Sequence, residues 1–157
     1  MKTDYLNQFV IIGLFWLLMA ISLTVNAEQK KVFDGPDGSE YEVHYIAFES
    51  TFLDKDIARQ YGLVRSKAMG VLNVSMIHVS ATGERKAVPF LLETNAKNDI
   101  QQVTHVSMSQ VIEGESVYYI GQIQFREGDV MTIDLAAYPQ GAIDPFRIRF
   151  AHTFYNN

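Results

Sequence analysis

There is no cysteine among the 157 residues of this chain. That excludes disulfide staples, thiolate catalysis and attachment through a lipidated cysteine. The one tryptophan, Trp16, lies in an apolar N-terminal run, so the Cys…Trp…Cys core of antibody-type domains is missing as well. Cationic excess is also absent: 13 Lys and Arg stand against 18 Asp and Glu, a net charge of −5. An acidic chain has no electrostatic footprint for nucleic acid and no reason to sit on anionic lipid. The sequence contains neither Gly-x-Ser-x-Gly nor Ser-x-x-Lys, and no pair of histidines at metal-ligand spacing. No enzymatic activity and no cofactor are expected.

What is present begins with an address. Residues 9–25 form the apolar run FVIIGLFWLLMAISLTV, preceded by Lys2 and followed by Val25-Asn26-Ala27. Small or tolerated residues at −3 and −1 predict cleavage before Glu28, so residues 1–27 read as a signal peptide. At 17 residues the run is also just long enough to serve as an uncleaved inner-membrane anchor. Either outcome places the remainder outside the cytoplasm, in a bacterial periplasm, with no membrane contact beyond the signal segment. Its removal takes out one cation, Lys2, and one anion, Asp4, leaving the net charge unchanged.

Residues 28–39, with Gly35-Pro36-Asp37-Gly38, read as a flexible leader. From residue 40 the pattern is β-rich. Strands are predicted at 40–49, 71–79, 87–94, 100–112, 116–125, 130–138 and 146–155, separated by glycine- and asparagine-bearing turns. One short helix is predicted over 55–61, with Asp54 as N-cap and Gly62 past its end. In the last strand, alternation puts Phe146, Ile148, Phe150, His152 and Phe154 on a core face and Arg147 and Arg149 on a wet one. The fold class that follows is all-β: a single antiparallel immunoglobulin-like β-sandwich of about seven strands over residues 40–157, with a small barrel as the other arrangement.

The run YEVHYIAFESTFLDKDIARQYGLVRSKAMGVLNVS at 41–75 resembles the DUF4426 family of exported gammaproteobacterial proteins. The shared positions include Tyr45, Ser50-Thr51-Phe52-Leu53, Tyr61-Gly62-Leu63, Arg65-Ser66-Lys67 and Leu72-Asn73. Looser likeness extends through Glu113-Gly114, Val117 to Ile120, and Phe150 to Tyr155. The resemblance implies a β-sandwich and carries no assigned activity, so it transfers no catalytic residue. Where similar sequences have Thr-Pro, this chain has Asp54-Lys55, and aspartate caps a helix as well as threonine does.

Two candidate sites emerge. Within 61–67, Tyr61, Arg65 and Lys67 form a candidate binding surface: an aromatic beside two cations suits an anionic ligand or partner. The structural reading of the same residues has Arg65 and Lys67 pairing with Asp54, Asp56 or Glu49 to lock the helix onto the sandwich. For metal, Met76 and His78 place two soft ligands on one strand face, a candidate for Cu(I); in the other reading Met76 is core and His152 a hydrogen-bonded histidine on an apolar face. The leading expectation is a non-enzymatic module that binds an envelope protein or a small anionic ligand through a sheet edge or the 61–67 surface. The alternative is a small-ligand or copper carrier of cupredoxin-like outline.

Overall fold

A computed structural model describes residues 28–155. Ten strands form two antiparallel sheets. Sheet A contains β1 (Gln29–Asp34), β2 (Glu40–Glu49), β3 (Met69–Val79), β8 (Ser116–Gln124) and β7 (Met108–Glu113) in that spatial order, with β4 (Arg85–Ala87) paired to β3. Sheet B runs β10 (Phe146–Thr153), β9 (Val130–Pro139), β5 (Phe90–Lys97), β6 (Val103–His105). The sheets face each other as a sandwich, and neither closes into a barrel.

The core follows from strand alternation. Val43, Tyr45 and Ala47 of β2 and Leu72, Val74 and Met76 of β3 meet Ile133, Leu135 and Ala137 of β9 and Ile148 of β10. The last strand behaves as its period of two requires: Ile148, His152 and Phe154 are buried, Phe146 and Phe150 are half-buried, and Arg147 and Arg149 are exposed. Phe154 stacks on Phe125, and Gly70 leaves room for its ring, because a Cβ there would lie 2.3 Å from it.

Three expectations need correction. The segment 28–39 is not a leader: β1 pairs with β2 from Gln29↔Tyr45 to Asp34↔Glu40, and the sandwich begins there. Polar composition hid this strand because it is an edge, where only Phe33 turns inward to stack on Phe146. The run 87–94 is split by Val88-Pro89, and the chain passes there from β4 in sheet A to β5 in sheet B. Proline lacks the N–H a continuing ladder needs. Likewise 100–112 is two strands in different sheets, β6 and β7, with Val106 buried at the crossing and its amide on the Thr94 carbonyl. The proposed signal at 1–27 lies outside the described residues. Among those described, no helix is long and apolar enough to cross a membrane.

Candidate functional site

Between β2 and β3 the chain leaves the sheet and folds over its outer face. A 3-10 turn (Ser50–Phe52) leads into helix α1 (Lys55–Gln60), where the Asp54 carboxylate accepts from the Asp56 amide at 2.8 Å and Gly62 takes a left-handed φ of +65°. Beneath this cap a second apolar cluster forms: Phe48, Val71 and Ile120 from the sheet, flanked by Leu53 and Leu63 from the cap. Half-burying two leucines stabilises the arrangement by roughly 1 kcal/mol apiece. This roof explains why the second half of β2 is buried on both faces.

Polar groups fasten the cap. The Ser50 hydroxyl donates to the Ser66 carbonyl and accepts from the Ser66 amide, both at 2.9 Å. The Gln122 side-chain amide does the same for Val64, accepting from its N–H at 2.9 Å and donating to its carbonyl at 2.7 Å. Arg65 donates through Nε to the Leu53 carbonyl at 2.9 Å and through Nη2 to the Thr51 carbonyl at 2.8 Å. Its guanidinium is thus a strap across the turn at 50–53. The salt bridges considered for it, to Asp54, Asp56 or Glu49, do not form; Asp56 pairs with Arg59 instead. Lys67 is exposed and makes no hydrogen bond or ion pair among the described residues.

Tyr61, at the C-terminal end of α1, points elsewhere. Its phenol donates to the Glu113 carboxylate and accepts from the Tyr118 hydroxyl at 3.3 Å. Burial pushes both phenols up, and Tyr118 is the more strongly shifted. The three residues read as one surface, Tyr61, Arg65 and Lys67, therefore separate into a phenol cluster, a backbone strap and a free cation. Sequence reasoning missed Glu113 and Tyr118, because their convergence with Tyr61 depends on the cap crossing β8 and β7.

The Met76–His78 pair does not make a metal site. Met76 is wholly enclosed in the core, with no face open to an ion, and the His78 ring packs against Tyr41 at 4.9 Å. No group of three or more His, Asp or Glu suited to a metal occurs among the described residues. Near the same sheet, buried Glu42 gathers Arg85 Nη2 at 2.5 Å, Lys30 Nζ at 3.1 Å and His44 Nε2 at 3.1 Å, tying β1, β2 and β4 together. The Arg85 guanidinium, acting against the cost of burial and helped by His44 and Lys30, holds this carboxyl at about 2.

Among the described residues, no segment roofs sheet B. Its outer face is an open cavity of about 580 Å³ lined by Lys31, Glu93, Asn95, Asp134, Arg147 and Arg149. Arg149 grips Asp134 through Nε at 2.5 Å and Nη2 at 3.2 Å. The cations stand along the β10 edge, with Lys31 Nζ on the Arg147 carbonyl at 3.3 Å, while the carboxylates sit on the inner strands β9 and β5. The Arg147 guanidinium has no hydrogen-bonding or ionic partner among the described residues. Phe154 turns its amide and carbonyl toward Asp129 and Gly128, on the β9 side. By alternation, the backbone groups of 147, 149, 151 and 153 face the open edge of β10.

Comparison with the curated proteins finds no match. Among solved structures, the chain resembles the crystal structure of a DUF4426 family protein from Pseudomonas aeruginosa PAO1. The two share 25% identity and a TM-score of 0.65 over 82% of this chain and 96% of that one. A weaker likeness, 11% identity and a TM-score of 0.47, is to FetP of uropathogenic E. coli strain F11; it covers 82% of this chain and 96% of that one. The sequence model of DUF4426, a domain of unknown function, matches residues 37–157, and the chain belongs to that family.

Proposed function

We propose that this DUF4426 member is an exported, non-enzymatic module of the periplasm that docks an acidic, extended segment of an envelope protein along the β10 edge of sheet B. One observation carries the reading: among the described residues, one outer sheet face is roofed by the chain's own cap, while the other is bare, cationic at its rim and bordered by an unpaired strand. Strand addition would use the backbone groups of 149, 151 and 153 for affinity, with Arg147 and Lys31 selecting a partner of opposite charge. The export run at 9–25 supports the compartment. A fastened 61–67 segment directs the contact to the sheet edge rather than to Arg65.

The test is photo-crosslinking in cells from a reactive side chain placed at Ala151, with cell fractionation alongside. The expected result is release of the protein with the periplasmic fraction and one discrete adduct, competed by an acidic extended peptide and lost on Arg147→Glu. An adduct indifferent to both the peptide and Arg147→Glu overturns the docking mode. Retention in the cytoplasmic fraction overturns the compartment.

A further inference from the structure

The oxygen atoms of Tyr61, Tyr118 and Glu113 converge on the outer face of sheet A. Tyr118 and Glu113 reach it by register: Tyr118 lies opposite Val111 on β7, and Glu113 is two residues further along the same face. Tyr61 is delivered from the end of α1. The Tyr61 phenol bonds to the Glu113 carboxylate, and the Tyr118 and Tyr61 oxygens are 3.3 Å apart. All three side chains are half-buried, so the cluster is shielded yet reachable from solvent.

We propose that Tyr61, Tyr118 and Glu113 form a binding site for a hard trivalent cation, iron(III). Oxygens about 2.0 Å from an octahedral ion lie about 2.8 Å apart on one face, so to admit the ion the Tyr118 and Tyr61 oxygens, 3.3 Å apart, would close slightly and the Glu113 carboxylate would draw back from the Tyr61 phenol. The donor set is all oxygen, which suits hard cations and rejects Cu(I). Phenols ordinarily lose a proton near pH 10, and burial makes that harder, so only an ion of high charge density displaces the protons at neutral pH. Binding converts both phenols to phenolates and releases two protons, with the Glu113 carboxylate supplying the third oxygen; no electron is transferred. Three protein oxygens on one face leave the opposite positions to water or to a small chelating anion. This site is independent of the β10 edge and of any partner there.

The test uses the purified full chain titrated with iron(III) nitrilotriacetate. The expected result is a visible phenolate-to-iron charge-transfer band that saturates at one equivalent, with phenolate modes in resonance Raman. Tyr118→Phe and Tyr61→Phe should each remove at least half of the band without lowering affinity elsewhere, Glu113→Gln should weaken binding at least tenfold, and Tyr138→Phe, a phenol outside the cluster, should change nothing. Should a cluster variant fail to fold, gallium(III) added to the unaltered chain provides the second readout, as a tyrosinate ultraviolet difference spectrum. No charge-transfer band and no gallium-induced tyrosinate signal would overturn the proposal, as would a band of undiminished intensity in folded Tyr118→Phe.

Discussion

The Ser50 hydroxyl is hydrogen-bonded to both backbone groups of Ser66, at 2.9 Å each, so one side chain stands in for a strand partner where the chain has left the sheet. Ser50 is completely buried. Ser50→Ala strands two backbone groups that water reaches poorly, and it should cost about 1–3 kcal/mol. Urea unfolding followed by far-ultraviolet circular dichroism measures the loss; a midpoint unchanged from the parent would show that the clamp is replaced by solvent.

Arg65 acts through two carbonyls rather than through a ligand, so Arg65→Ala and Arg65→Lys should behave alike. A lysine ammonium has no planar fork to span Thr51 and Leu53, and each variant is expected to lose about 1–2 kcal/mol. Thermal melts of the pair are the check. Full rescue by lysine would assign the position to charge, not to geometry.

Gly70 faces the fully buried Phe154 ring, and an added Cβ would come within 2.3 Å of it. Gly70→Ala is expected to destabilise by about 1–3 kcal/mol through overpacking. Pairing it with Phe154→Leu makes room, so the double variant should be more stable than the sum of the two single losses. Strict additivity would mean that the backbone, rather than the ring, yields.

Glu42 sets an acid dependence. Its folded carboxyl titrates at about 2 against 4.5 in the unfolded chain, so between those values the unfolded state holds more protons. The contribution is complete above about pH 4.5 and is lost as pH falls toward 2. Because Arg85 and Lys30 are half exposed and screened by water, it is on the order of 1–2 kcal/mol. Glu42→Gln should lower stability at neutral pH and flatten the stability curve between pH 4.5 and 2, as read by denaturation at several acid values. An unaltered slope would assign the acid sensitivity to other carboxylates.

Much of the sandwich could be read from the chain directly. Alternation is a local property, so the faces of β10, the ends of α1 and the capping roles of Asp54 and Gly62 were visible in the order of residues. The family motif was visible too, but its meaning was not. Tyr61, Arg65 and Lys67 looked like one cationic surface because nothing in their spacing tells that carbonyls of the 50–53 turn lie within reach of the Arg65 guanidinium.

Sequence by itself determined the apolar run at 9–25, the β class, the acidic balance and the lack of cysteine, since each depends on composition or on a period of a few residues. Tertiary structure alone decided that β1 belongs to the sandwich, that the chain changes sheets at Pro89 and Val106, that Met76 is sealed in the core, and that Tyr61 meets Tyr118 and Glu113. The physical reason is the same in each case. These relationships join residues far apart in the chain, and their partners are chosen by packing between layers, for which the local sequence carries no record.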